Sequence, residues 1–189
     1  AQQVEINYPD INQGHIGPLI FDKQADIIEQ HLKDAEDKGA EILCGGVIEE
    51  HGGGKWILPT VVSNVDHSML VMTEETFGPI IPIMTYTNVN KAIELANDSK
   101  YGLSAAVLAG DSNEAEKIAR HLDAGAISVQ DCGITTYVFD GEKNWFKFSG
   151  IGASRMGKMG MVRFFRKKVI YTQSGATHDI DAMGEQQPN

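Results

Sequence analysis

Apolar positions along the chain follow two different periods, and each change of period marks a predicted element. Ile27, Ile28, Leu32 and Ala35 fall on one side at helical spacing, with charged residues opposite. This predicts a helix that opens on Asp22 as N-cap, after Pro18-Leu19-Ile20-Phe21, and closes at Gly39, where a left-handed cap is wanted. A short strand from Glu41 to Cys44 is expected next, ended by Gly45-Gly46. His51-Gly52-Gly53-Gly54 makes a flexible turn before Trp56-Ile57-Leu58-Pro59-Thr60-Val61-Val62, and the pattern allows either a hairpin or two edge segments. Residues 1 to 16 carry no clear period and read as a connecting segment.

The centre is more regular. An apolar run from Ile80 to Tyr86 precedes a helix capped by Asn88 and reaching Asn97; a strand Ser104 to Ala109, a helix from Asp111 to Leu122 and a strand Ala126 to Gln130 follow. Helical crossovers of this kind join parallel strands, and near-continuous apolar runs suit a sheet covered on both faces. The expected fold class is α/β, a parallel sheet in a three-layer domain. Beyond it, glycines at 150, 152, 157 and 160 accompany a short helix around Met161 to Phe165, then a β-prone piece from Lys168 to Thr172 and a polar end that reads as disordered.

Composition narrows the function classes. With 189 residues, 42% of them hydrophobic, the chain can bury one real core. It holds no apolar run long enough to span a bilayer, and Ala1-Gln2-Gln3-Val4-Glu5 lacks the basic start and apolar stretch of a signal peptide, so a cytoplasmic protein with no membrane partner is expected. Cys44 and Cys132 have no partner at disulfide or metal-ligand spacing, and no metal is expected. A net charge of −10 argues against a nucleic-acid partner. The charge is segregated, however: the stretch from Lys143 to Tyr171 holds 8 of the 16 basic residues and none of the 26 acids. Such a face either packs on an acidic surface or draws in an anionic substrate or cofactor.

Thr73-Glu74-Glu75-Thr76-Phe77-Gly78-Pro79 places a carboxylate two residues before an aromatic ring in a loop closed by Gly-Pro. A carboxylate can accept both hydroxyls of a ribose, and a ring can wall a flat heterocycle; solvated glutamates beside a core phenylalanine would give the same pattern. The loop resembles the Glu-Glu-x-Phe-Gly-Pro signature of the aldehyde dehydrogenase superfamily. Gly17 to Ile20, Lys38 to Gly46, Pro59 to Val61, Ala96 to Val107 and Ala124 to Val129 resemble the family in order and spacing, over roughly residues 16 to 172. The resemblance implies a partial catalytic domain over 17–165 and an oligomerisation tail with a strand over 166–189, hence a homodimer or a dimer of dimers. It implies NAD or NADP as cofactor, with Glu75 on the nicotinamide ribose and Phe77 near the nicotinamide ring, and a small aldehyde as substrate.

The family's chemistry uses a cysteine thiolate that attacks the aldehyde, hydride transfer from the thiohemiacetal to the nicotinamide, and a glutamate base for thioester hydrolysis. By the same resemblance the nucleophile lies further upstream than the 74 residues that precede Glu75, so no catalytic residue is expected in this chain and the chain alone should be inactive. Cys44 is expected in a buried strand as a small hydrophobe. Cys132 is implied to lie beside the substrate tunnel. The sequence departs from the family where Pro-Phe-Gly-Gly is usual: it reads Glu142-Lys143-Asn144-Trp145-Phe146-Lys147-Phe148. Trp145, Phe146 and Phe148 are candidates for the substrate wall and Lys143 and Lys147 for an anionic head group, or the loop packs on a neighbouring subunit. The six histidines, at 15, 31, 51, 67, 121 and 178, show no relay spacing and read as structural or surface. Two other functions stay open, a non-catalytic assembly module and a CoA-acylating enzyme.

Overall fold

The computed structural model describes residues 1–152 and 154–175. Helix α1, Asp22–Asp37, turns Ile28, Leu32 and Ala35 inward. Its N-cap is Phe21, which makes no side-chain cap bond, so Asp22 starts the helix and supplies a first-turn negative charge in place of a cap. Gly39 takes φ +96°, and its N–H and that of Ala40 donate to the carbonyls of Glu36 and Ala35, the closure that a left-handed C-terminal glycine permits.

Strand β1, Glu41–Cys44, follows as expected. The turn closes a hairpin with a strand the pattern did not mark: β2, Ile48–His51, pairs antiparallel with β3, Gly54–Ile57. Gly52 and Gly53 stand at φ +59° and +81°, the two left-handed positions that a tight two-residue turn requires. Pro59 cuts the apolar segment behind it. The next piece is therefore a separate strand, β4, Thr60–Ser63, which runs antiparallel to β1 and parallel to β5, Ile80–Ile83, in a sheet of order β1-β4-β5. Val62 of this sheet and Ile57 of the hairpin meet Ile28, Leu32 and Ala35 of α1, and Val65, Met69 and Val71 around the short α2, Leu70–Thr73, close the core.

Helix α3, Val89–Asn97, is capped by the Asn88 side chain, which accepts from the Lys91 N–H. After β6, Tyr101–Gly102, comes β7, Ser104–Val107; then α4, Ser112–Ala119, capped by Asp111, which accepts from Glu114 N–H, and β8, Ala126–Val129. Strands β7 and β8 are parallel, and Val107, Ala115 and Ala119 form the small second core. The class is α/β with parallel strands, as expected, but β5 and β7 are not hydrogen-bonded to each other and belong to different sheets. Periodicity reports that a segment is extended; it does not report which edge it joins.

The chain returns through β9, Phe146–Lys147, antiparallel to β6. Helix α5 occupies Gly157–Val162, starting earlier than the Met161 expected for it. The β-prone piece at 168–172 forms no strand among the described residues, and Val169, Ile170 and Tyr171 are exposed. The polar end from 176, with His178, lies outside the described residues. At the other end, the Asn7 N–H donates to Ile16 O and the His15 N–H to Glu5 O, so the first sixteen residues close on themselves as a loop. No helix among the described residues is long and apolar enough to cross a membrane.

Candidate functional site

The loop between α2 and β5 is built to separate its two glutamates. Lys100, at the end of α3's connection, donates to both carboxylate oxygens of Glu74 at 2.7 Å, and this bond is the main cause that raises the Lys100 pKa. Glu75 is exposed and has no hydrogen-bond or ion-pair partner among the described residues. Phe77 stands at φ +43°, in the left-handed region that a non-glycine residue adopts at a cost, and the residue is 73% exposed. It lines an apolar cleft of about 420 Å³ with Gly78 and Pro79 of its own loop and with Leu19, Phe21 and Ile57. A free carboxylate and a presented ring thus stand two residues apart, and they suit a ribose and a flat heterocycle; a core phenylalanine, the other reading of the sequence, is not what forms.

Residue 76 between them is held from below. The Gln24 side-chain amide donates to the Thr76 carbonyl, and His31 Nδ1 lies 3.1 Å from Thr76 Oγ1. His31 is 6% exposed, and burial pushes its pKa below the ordinary histidine value against the pull of Glu74 and Asp34. Nothing in the sequence marked this histidine, because its partner is 45 residues away. The same holds for His67, 2.8 Å from Asp98, whose carboxyl it holds below the usual range. His51 and Glu49, 2.8 Å apart, share one face of β2 at a spacing of two, a signal that was readable.

The segment after β8 carries the remaining candidates. Gln130 stands at φ +55°, and its side-chain amide accepts from the Ala109 N–H at 2.9 Å and donates to the Ala109 carbonyl at 2.8 Å, extending the ladder beyond β8 with a side chain. Asp131 Oδ1 accepts from the N–H groups of Gly133 and Ile134, and Cys132 is exposed between these two fixed points. Trp145 is half-buried, with the Arg155 guanidinium 4.8 Å from its ring centroid, and Phe146 pairs through its backbone with Gly102. The flanking lysines turn to their own chain: Lys147 Nζ donates to Asn97 O at 2.7 Å and Lys143 Nζ to Thr135 O at 3.4 Å. Cys44 is half-buried, not buried as expected, with its thiol 3.7 Å from Pro59 O. Of the basic segment, Lys158 and Arg163 through Lys168 are exposed.

The chain belongs to the aldehyde dehydrogenase family, whose model matches residues 1–171 and so takes in the first sixteen residues as well. A protein described as an aldehyde dehydrogenase, from Staphylococcus saprophyticus, is 34% identical over 171 residues, 89% of this chain and 35% of its own length. The chain therefore spans about a third of the length of the curated relatives it matches. Among solved structures, an aldehyde dehydrogenase named PutA from Anabaena variabilis is 53% identical with a TM-score of 0.88, over 95% of this chain and 38% of that one. A double mutant of betaine aldehyde dehydrogenase from Staphylococcus aureus, solved in complex with NAD+, is 30% identical with a TM-score of 0.83, over 94% and 35%. Lactaldehyde dehydrogenase from Escherichia coli is 32% identical with a TM-score of 0.82, over 92% and 36%.

Proposed function

We propose that these residues form the C-terminal part of an NAD(P)-dependent aldehyde dehydrogenase that oxidises an aldehyde to a carboxylic acid, its cysteine nucleophile carried by upstream sequence. The observation that carries this reading is the division of labour in the loop: Glu74 is consumed by Lys100, while Glu75 stays free beside the outward ring of Phe77. Family membership and the NAD+ complex of the betaine aldehyde dehydrogenase support the same assignment. When bound, the dinucleotide supplies the hydride acceptor. Glu75 would accept the ribose hydroxyls and Phe77 would wall the nicotinamide. Cys132, Trp145 and Phe146 are assigned to the substrate pocket, with the stack of Trp145 under Arg155 holding the indole in place. Residues 166–189 are assigned to pairing between subunits, as a homodimer or a dimer of dimers in the cytoplasm.

The test is Glu75→Gln in the full-length enzyme. A hydrogen bond to a charged acceptor is worth roughly 1.5–3 kcal/mol, so hydride transfer should slow on the order of tenfold to a hundredfold while the nucleophilic thiol still reacts with an alkylating agent. Turnover and cofactor affinity both equal to wild type would show a solvated loop residue and remove the assignment.

A further inference from the structure

We infer that helix α1 sets the geometry of the cofactor loop through Thr76, with Gln24 and His31 as positioning residues; this rests on the reading of Glu75 and Phe77 proposed above. Gln24, Ile28 and His31 are spaced by four and three along α1 and so share one face. That face grips alternate residues of the loop. The Gln24 amide takes the Thr76 carbonyl, His31 Nδ1 meets the Thr76 hydroxyl at 3.1 Å, and Gly78 lies against Ile28 so closely that an added methyl would stand 2.6 Å from Ile28 Cδ1. Residues 76 and 78 are thereby held to the helix, and residues 75 and 77 between and before them face outward. A left-handed Phe77 persists only where its neighbours over-determine it, and the holds at 76 and 78 are on either side of it.

The histidine makes this grip sensitive to its charge. Two acidic groups face it, Asp34 from its own helix and Glu74 from the loop. Both are already engaged: Asp34 with Lys38 at 2.7 Å and the Leu70 N–H, and Glu74 with Lys100. Their pull on a proton at the buried ring is therefore shared with the two lysines, and burial outweighs it. Because the folded state lowers the pKa of His31, its contribution is complete above the ordinary histidine pKa and is lost as pH falls through that value toward the folded one.

The experiment measures NAD+ binding by calorimetry and thiol alkylation in the full-length enzyme for Thr76→Val, His31→Leu, His31→Gln and Glu75→Gln. Thr76→Val and His31→Leu should raise the NAD+ Kd roughly threefold to tenfold at pH 8, the scale of one neutral hydrogen bond, with alkylation unchanged. His31→Gln, which keeps a hydrogen-bonding group and cannot titrate, should restore most of the affinity and abolish the additional weakening expected of wild type as pH falls below the ordinary histidine pKa. Wild-type affinity in Thr76→Val and His31→Leu, beside a weakened Glu75→Gln, would overturn the positioning role and leave the cofactor reading intact. Wild-type affinity in Glu75→Gln would remove that reading and this inference with it. Should Thr76→Val fail to fold, the His31→Gln pH profile decides, and a profile that coincides with wild type overturns the inference.

Discussion

Gly125→Ala isolates the contact that joins the second core to the divergent loop. The Gly125 N–H donates to Gly102 O at 3.0 Å, and the backbone at Asn144 and Trp145 passes directly over this pair. A methyl on Gly125 would fall inside the envelope of the Asn144 carbonyl oxygen, 2.9 Å from its carbon and 3.2 Å from Trp145 Cα. These are backbone atoms and cannot swing aside as the end of a side chain would. Overpacking of this kind costs about 1–3 kcal/mol or more, and the strand at Phe146 must lift with it, carrying Trp145 away from Gly150 and Arg155. Gly39→Ala is the control: its methyl meets nothing within 4 Å, and its φ of +96° alone sets a cost of about 1 kcal/mol. In denaturant unfolding of the full-length protein, Gly125→Ala should lose more stability than Gly39→Ala, and it alone should raise KM for the aldehyde. Equal stability losses in the two variants, with unchanged KM in both, would refute the close-approach argument.

Two further outcomes follow from the assignment. Removal of residues 166–189 from the full-length enzyme should yield a smaller species by light scattering, because the exposed Val169, Ile170 and Tyr171 would lose the edge they are assigned to join; an unchanged mass would reject that role. The 189-residue chain alone should not oxidise aldehydes; cofactor-dependent turnover that survives replacement of both Cys44 and Cys132 would contradict an upstream nucleophile.

What was legible in the sequence was local. Asn88 and Asp111 cap their helices because a short polar side chain before an apolar periodic run satisfies a backbone donor that the helix leaves open. Gly39 was readable for the same kind of reason at the other end. Asp22 misled because a good cap residue stood where Phe21 already had the extended backbone of the cap position. The candidate loop was found by its motif, but the difference between Glu74 and Glu75 depends on Lys100, 26 residues on, and the hold on Thr76 depends on His31, 45 residues before it. Neither leaves a trace in short-range spacing.

The same limit bears on how the strands are joined into sheets. The strands run parallel as expected, β4 with β5 in one pair and β7 with β8 in another, with separate cores beneath α1 and α4. Apolar side chains remain exposed along both pairs, Ile81 and Ile83 on β5 and Leu103 and Leu108 flanking β7, and again at Phe164, Phe165 and Ile170. Soluble proteins seldom leave so much apolar surface on strand edges without a use for it. On the proposed reading these are seams, covered by the remaining two-thirds of the enzyme and by a second subunit. The loop of Glu75 and Phe77 leads straight into β5, beside one such seam, so the step that completes the sheet would also frame the cofactor loop. Folding of the domain and readiness of its cofactor site would then be one event, with α1 holding the loop's inner side and the upstream chain closing its outer one.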